Sequence, residues 1–480
     1  MAKITVGLPG LHRAAVNRMK PGILIAFLAV LAGGLLLSAG LSGISWSGAD
    51  PRMLASAGIA IITLGLWITG AVPEFLTSLL FLLLSALAAV APPETVFSGF
   101  HTSAMWMIFG GLVIGHAVSQ SGLGDRVVTR LVAISPPGYL GVLATVALAG
   151  LVLSFVIPTA IGRVVLLAPI AVRLAGQFGL EAGTRGQTGL VLTAGMSTSL
   201  PAFTILPSNV PNLVMSASAE NLYGVSFTYG QYLLANFPVL GGMCLLATVG
   251  LNWWFFREEL RPAERQEDAT GMTAVQQRLS CLMALTVFLW ITDTWHGLAP
   301  AWVAMGAALF CALPRAGVIP ASDIPQKINF APLFFVGGVV GFGAVASETS
   351  LSTWVGSHLV SLLAYADLSS DASVYAMLVF IGSLVAVCTT VPTAPGVMTP
   401  LADQLAEATG WPVVSVLMAQ VPTWVLVPFP YLVPPIMLTL SVGKVPSRHA
   451  AQALLCYFSI GVLICAPLHF LWAGWLGVFP

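Results

Sequence analysis

The residues best placed to do chemistry lie in the stretch "SFVIPTAIGRVVLLAPI", Ser154 to Ile170, which is otherwise apolar enough for lipid. Pro158 and Gly162 break it, Thr159 gives it a hydroxyl and Arg163 gives it a charge. Proline lacks an N–H and disrupts the helix before it, and glycine lets the backbone turn or be closely approached. Inside lipid the freed backbone groups must be met by protein, water or ligand. The chemistry such a break suits is anion binding. A half-helix restarting at Ala160 turns its amides and positive dipole end toward the break. The Thr159 hydroxyl can donate to an anion or accept from a donor. A guanidinium at that depth is costly unless it faces a cavity or a partner.

Those residues need elements to hold them, and the chain carries the set twice. "VIPTAIG" at Val156–Gly162 returns as "TVPTAPG" at Thr390–Gly396, so Thr390, Thr393, Ala394 and Gly396 echo the first break. "LGLWITG" at Leu64 returns as "VFLWITD" at Val287, and "FGGLVIGHAV" at Phe109 as "VGGVVGFGAV" at Val336. The order is kept, at offsets of 223, 227 and 234 residues. Each copy has a second break downstream. The first is "TILPSNVPNLV", where Ser208 and Asn209 sit between prolines; the second is "VPFPYLVPPIML", with Tyr431 as its main polar handle. The expected organisation is a first helix with an N-terminal cytoplasmic segment (1–54), a first transport repeat (55–256), a polar cytoplasmic linker (257–278) and a second repeat (279–480). Matched broken segments in two halves are a transporter pattern, with the substrate near the midplane where the breaks meet.

The composition fixes the environment. Of the 480 residues 57% are hydrophobic and only 8% charged, against roughly 25% in a soluble domain. Apolar runs of spanning length recur without the alternation of a β-barrel. The fold class is therefore an all-α polytopic membrane protein. Basic residues cluster in cytoplasmic loops. None occurs between Lys327 and Lys444. A path of about 11 transmembrane helices satisfies this, with the N-terminus cytoplasmic, the C-terminus external and one re-entrant hairpin entering from each side. An odd number of crossings per copy makes the repeats inverted.

"LWITDTWHGLAPAWVAMGAALF" at Leu289–Phe310, "FFVGGVVGFGAVASETSLSTWV", "SNVPNLV" with Pro211 and Asn212, and "LVPPIM" with Pro434 and Pro435 resemble segments of the divalent anion/sodium symporters, carriers of dicarboxylates, citrate and sulfate. The resemblance runs from about Leu64 to the C-terminus. It implies an elevator-type carrier, a homodimer in the bacterial inner membrane, with substrate between two hairpin tips. The resemblance carries Thr159, Ala160, Thr393 and Ala394 over to the substrate site; the breaks themselves add Pro158, Arg163, Ser208, Asn209 and Thr390. A coupling Na+ would lie near Gly162, Asn212 and Gly396. The family's Ser-Asn pair is absent from both tips, which read "IPTA" and "VPTA".

Three readings of Arg163 stay open. Its planar fork can bind an anionic substrate. It can stand where a sodium ion sits in relatives and supply that charge. It can be paired structurally or snorkel to the interface. Glu74 and Asp293 follow the matching "LWIT" segments and read as interfacial; His116 reads as a satisfied core histidine. The six cysteines show neither zinc-site nor disulfide spacing. There is no His-Glu-x-x-His, Gly-x-Ser-x-Gly or P-loop. Zero net charge gives no pull toward nucleic acid. The function expected is secondary active transport of small anions, of the di- or tricarboxylate, sulfate or sulfonate class, with no catalytic residues, resident metal or cofactor. The alternative is a sodium-independent exchanger or proton-coupled carrier in which Arg163 replaces the sodium charge.

Overall fold

A computed structural model describes residues 21–44, 50–157, 159–261, 271–315, 317–363 and 368–480. Pro158, the first twenty residues and 262–270 of the linker lie outside the described residues. Among those described, every regular element is helical. Nine helices among the described residues, from Gly22–Leu41 to Ser447–Trp475, are long and apolar enough to cross a membrane. Glu74–Leu87, Pro300–Cys311, Val413–Val425 and Pro434–Gly443 are shorter apolar helices. A helix satisfies its own backbone in hydrocarbon, so side chains of any apolar type can face outward. Ile23, Phe27, Leu31 and Leu35 do so on the first helix. The chain is a multi-pass membrane protein.

Two close crossings organise the interior. Ser103–Ser121 packs on Pro300–Cys311, and Ala331–Glu348 packs on Glu74–Leu87. Each contact turns on a glycine. A Cβ on Gly110 would lie 2.7 Å from the Ala304 carbonyl carbon, and one on Gly338 would lie 2.4 Å from the Ser78 Cβ. Any side chain there would push the helices apart.

Broken segments stand between these crossings. Helices Tyr139–Val156 and Ala160–Gln177 form a first hairpin. Asp371–Cys388, followed by the short helices Ala394–Met398 and Ala402–Thr409, forms a second. After each comes an interrupted helix. Arg185–Ser199 resumes as Val210–Tyr223, with 3₁₀ turns between, and Val413–Met418 and Val421–Val425 resume as Pro434–Gly443.

The last long helix of each half has a π turn, Phe237–Met243 in one and Gly461–Cys465 in the other. His469 joins these helices: one ring nitrogen meets the Asn236 Oδ1 at 3.2 Å and the other the Tyr375 hydroxyl at 2.9 Å.

Candidate functional site

Extended backbone marks the first tip. Ile157, the residue before Pro158, is extended (φ −111°, ψ 111°), as the proline ring requires of its predecessor. Thr159 is extended as well (φ −119°, ψ 123°), and the helix restarts at Ala160 without a capping bond from the Thr159 side chain. One turn into that helix stands Arg163, fully buried.

Its guanidinium is surrounded by oxygens. Nε donates to the Thr198 carbonyl at 2.8 Å, and Nη1 to the carbonyls of Ile157 at 2.6 Å and Ser208 at 3.0 Å. Nη2 donates to the Asn209 Oδ1 at 3.1 Å. Asn209 then donates through Nδ2 to the Ser199 carbonyl at 3.2 Å. Ser208 Oγ donates to the Ser154 carbonyl on the hairpin's first arm. One side chain thus ties the hairpin tip, the end of Arg185–Ser199 and the unwound stretch into a unit. Helix interruption leaves backbone carbonyls without intrahelical partners; here a cation collects three of them.

The second tip has no such centre. Thr393 is buried and bonded within its own turn. Its Oγ1 accepts from the Thr390 N–H at 3.1 Å, meets the Thr390 Oγ1 at 3.1 Å and donates to the Thr390 carbonyl at 3.0 Å. In the repeat, Val397 takes the place of Arg163.

Both tips and both interrupted helices border one cavity of about 470 Å³. Thr159, Ala160 and Asn209 line it from the first half, and Val391, Pro392, Val433, Pro434 and Pro435 from the second. Ser199, Phe203, Phe335 and Glu74 also line it. Arg163 lies one layer behind this wall.

The sequence profile described as "Sodium:sulfate symporter transmembrane region" matches residues 24–479, nearly the whole chain. The chain belongs to this family. It is a family of transporters, and the protein is not an enzyme. A "Membrane protein" of Cupriavidus necator is 25% identical over 343 residues, covering 65% of each chain. The "Sodium-dependent dicarboxylate transporter SdcS" of Staphylococcus saprophyticus is 21% identical over 346 residues, covering 65% of this chain and 66% of the relative. The alignments thus span about two thirds of these relatives' length. In fold, the chain is similar to the Alcanivorax borkumensis YdaH transporter, with TM-score 0.56 and 16% identity over 96% of this chain and 100% of that one. The Neisseria gonorrhoeae MtrF structure gives TM-score 0.50 and 15% identity over 93% and 94%.

In this member of the symporter family the residues singled out from the sequence divide by position. Thr159, Ala160 and Asn209 are on the cavity wall; Arg163, Ser208, Thr390, Thr393 and Ala394 are not. Gly162, Asn212 and Gly396 are also off the wall. Asn212 is buried and donates to the carbonyls of Ala202 at 3.3 Å and Ile205 at 2.9 Å, and Gly396 sits against Val339. Pro158 is outside the described residues. Wall residues not picked out as site residues from the sequence include Ser199, Phe203, Asn329, Val391 and Val433. A second usable signal lay in their spacing, since Val433 stands 224 residues after Asn209, within the repeat offset.

Two further acidic residues are tied into the fold. His116 bonds Asp323 at 3.1 Å, and Lys327 bonds the other carboxylate oxygen at 3.1 Å. Asp293 is buried. Its carboxylate accepts from the Tyr229 N–H at 2.5 Å and the Gly230 N–H at 3.3 Å, closing the start of the first-half helix Tyr229–Phe256.

Proposed function

We propose that the protein is a secondary carrier of small anions that works by elevator alternating access, with the hairpins and interrupted helices moving as the substrate-bearing body. The observation that carries this is the meeting of two hairpin tips and two helix breaks at a single cavity. The name of the staphylococcal relative supports anion transport and sodium coupling in the family. The halves 55–256 and 279–480 are inverted repeats joined by the cytoplasmic linker 257–278, and the chain crosses the membrane about eleven times. In support, each half runs through hairpin, interrupted helix and π-turn helix in the same order. The reciprocal contacts Gly110–Ala304 and Gly338–Ser78 pair equivalent helices across the halves. By the basic-residue map the N-terminus is cytoplasmic and the C-terminus external, in a bacterial inner membrane, with a homodimer as the working unit.

The oxygens around Arg163 favour the sodium-independent form of this reading. Carbonyl and carboxamide oxygens are the donors that hard cations take, and here the guanidinium holds them. The charge that a mobile sodium ion brings in relatives is tethered in this chain. Gly162 then shapes the first tip and binds no ion, and any coupling ion is a proton or the exchanged anion. The full chain in proteoliposomes tests this: uptake of labelled anions is measured with sodium, with potassium, with a pH gradient and with internal substrate. The expected result is uptake that a counter-substrate or pH gradient drives without sodium. Uptake strictly dependent on sodium would exclude the tethered-cation reading and leave ordinary symport.

A further inference from the structure

The two ends of the cavity differ in chemistry, and the difference bears on what it carries. On the first-half side stand the Thr159 hydroxyl and the first-turn amides of the helix Ala160–Gln177. That helix has eighteen residues, its Thr159 side chain makes no capping bond, and Ala160 and Ile161 reach the cavity. Ser199 adds a second, independent feature. It is completely buried, it lines the same cavity, and its Oγ has no hydrogen-bond partner. A buried hydroxyl left unpaired is costly unless something polar meets it. Behind these groups lies the Arg163 charge, held by chain oxygens and weakly screened at that depth.

The second-half side is poorer in donors: its one polar side chain on the wall is the exposed Asn329, whose Oδ1 already accepts from the first amide of the helix Ala331–Glu348. Val391 and Pro392 face the cavity where the first half has its tip, and Val433 stands where the first half has Asn209. The Thr393 hydroxyl is spent on Thr390, and the helix after the second tip has only five residues. The rest of the wall is largely apolar, with Met107, Leu112, Phe203 and Leu432. Its one ionisable lining residue is Glu74, a carboxylate. A second anionic group on the substrate would lie against hydrocarbon or against that carboxylate, with the exposed Asn329 carboxamide as the one second-half side chain on the wall able to donate to it.

We infer that the carried anion has one anionic head and an apolar body, a monocarboxylate or monosulfonate of an aliphatic or aromatic acid, with the head at Thr159, Ser199 and the Ala160 helix start and the body against Phe203, Val391 and Val433. This rests on the carrier reading above and narrows its substrate class away from dicarboxylates, tricarboxylates and sulfate. A cavity of about 470 Å³ has room for a benzoate-sized molecule.

The test uses the full chain in proteoliposomes with two series of labelled anions. One runs butyrate, valerate, hexanoate, benzoate and benzenesulfonate; the other is succinate, citrate and sulfate. The first series should be transported, with apparent affinity rising roughly fourfold per added methylene until the cavity is filled. The second should be weaker by at least about tenfold. Ser199→Ala should weaken every member of the first series alike, since it acts on the shared head. Val433→Asn, with Val433→Thr as the milder variant, should raise succinate uptake relative to hexanoate. Succinate or sulfate carried as well as hexanoate would overturn this inference and leave the carrier reading intact. Failure of every anion to move would remove the carrier reading, and this one with it.

Discussion

The Arg163 guanidinium and the Asn209 carboxamide are joined through Nη2 and Oδ1 at 3.1 Å, with both side chains buried. This contact links a hairpin arm to the break in the next helix, 46 residues on. Replacing the arginine orphans that oxygen and three carbonyls together. Arg163→Met should cost about 3–5 kcal/mol, the usual penalty for removing one member of a buried charged network. In Arg163→Ala the vacated oxygens should accept a small cation. Sodium should then raise its melting temperature and restore part of its uptake, where choline does neither. Equal behaviour in sodium and choline would defeat the idea of a tethered cation.

Asn209 acts on both sides of that contact, accepting from Arg163 and donating to the Ser199 carbonyl. Asn209→Leu keeps the bulk and loses both bonds. It should lower stability by about 1–3 kcal/mol. Transport should fall further than folding accounts for, because Asn209 also borders the cavity. Thermal unfolding and uptake measured on the same preparation separate the two effects.

The glycine crossings can be told apart by rescue. Gly338→Ala would collide with the Ser78 side chain, whereas Gly110→Ala would collide with Ala304 backbone atoms. Each should cost about 1–3 kcal/mol, the range for overpacking. Adding Ser78→Gly should recover much of the first loss. Adding Ala304→Gly should recover little of the second. A double-mutant cycle on melting temperature reads both.

Asp293 supplies a cap from the second half to a helix of the first. Asp293→Ala should destabilise by about 1 kcal/mol, the typical worth of an N-terminal cap. Asp293→Asn, which keeps an acceptor, should lose less. Hydrogen exchange at the Tyr229 and Gly230 amides should rise in the alanine variant and stay near wild type in the asparagine variant.

At the edge of the fold, the hydrogen bond from His116, with Lys327 adding to it, holds the Asp323 carboxyl below the usual carboxylate range. A depressed carboxylate pKa stabilises fully above the unfolded value, 3.8 here, and the contribution fades as pH falls through the lower folded value. Stability from this tie should therefore hold from neutral pH down to the ordinary carboxylate range and decline only below it. Asp323→Asn should be less stable than wild type at neutral pH and converge toward it in acid, followed by melting temperature in detergent.

How far the sequence could be read depended on whether a feature was local. Pro158, Gly162 and the double-proline stretches act on their own backbone, so the breaks were legible from residue type alone. Their pairing was legible because the chain says it twice. The direction of Arg163 was not. Its partners Thr198, Ser208 and Asn209 lie 35 to 46 residues away, and three of its four acceptors are carbonyls, which every residue has. Thr159 and Thr393 look alike in the motif, yet one borders the cavity and the other is consumed within its turn. Burial of Asp293 was likewise hidden, since an acidic residue at the end of an apolar run reads as interfacial until the helix it closes is known.

A mobile ion can leave a carrier between trips; Arg163 cannot. On the elevator reading, the first hairpin takes its positive charge along in both directions, loaded or empty. With a monoanion aboard, the Arg163 charge travels beside an opposite one. Without one it travels unbalanced, and moving a full charge across 100 mV is worth about 2.3 kcal/mol. The empty return is then the step that membrane voltage opposes or assists, and one-for-one exchange escapes that dependence.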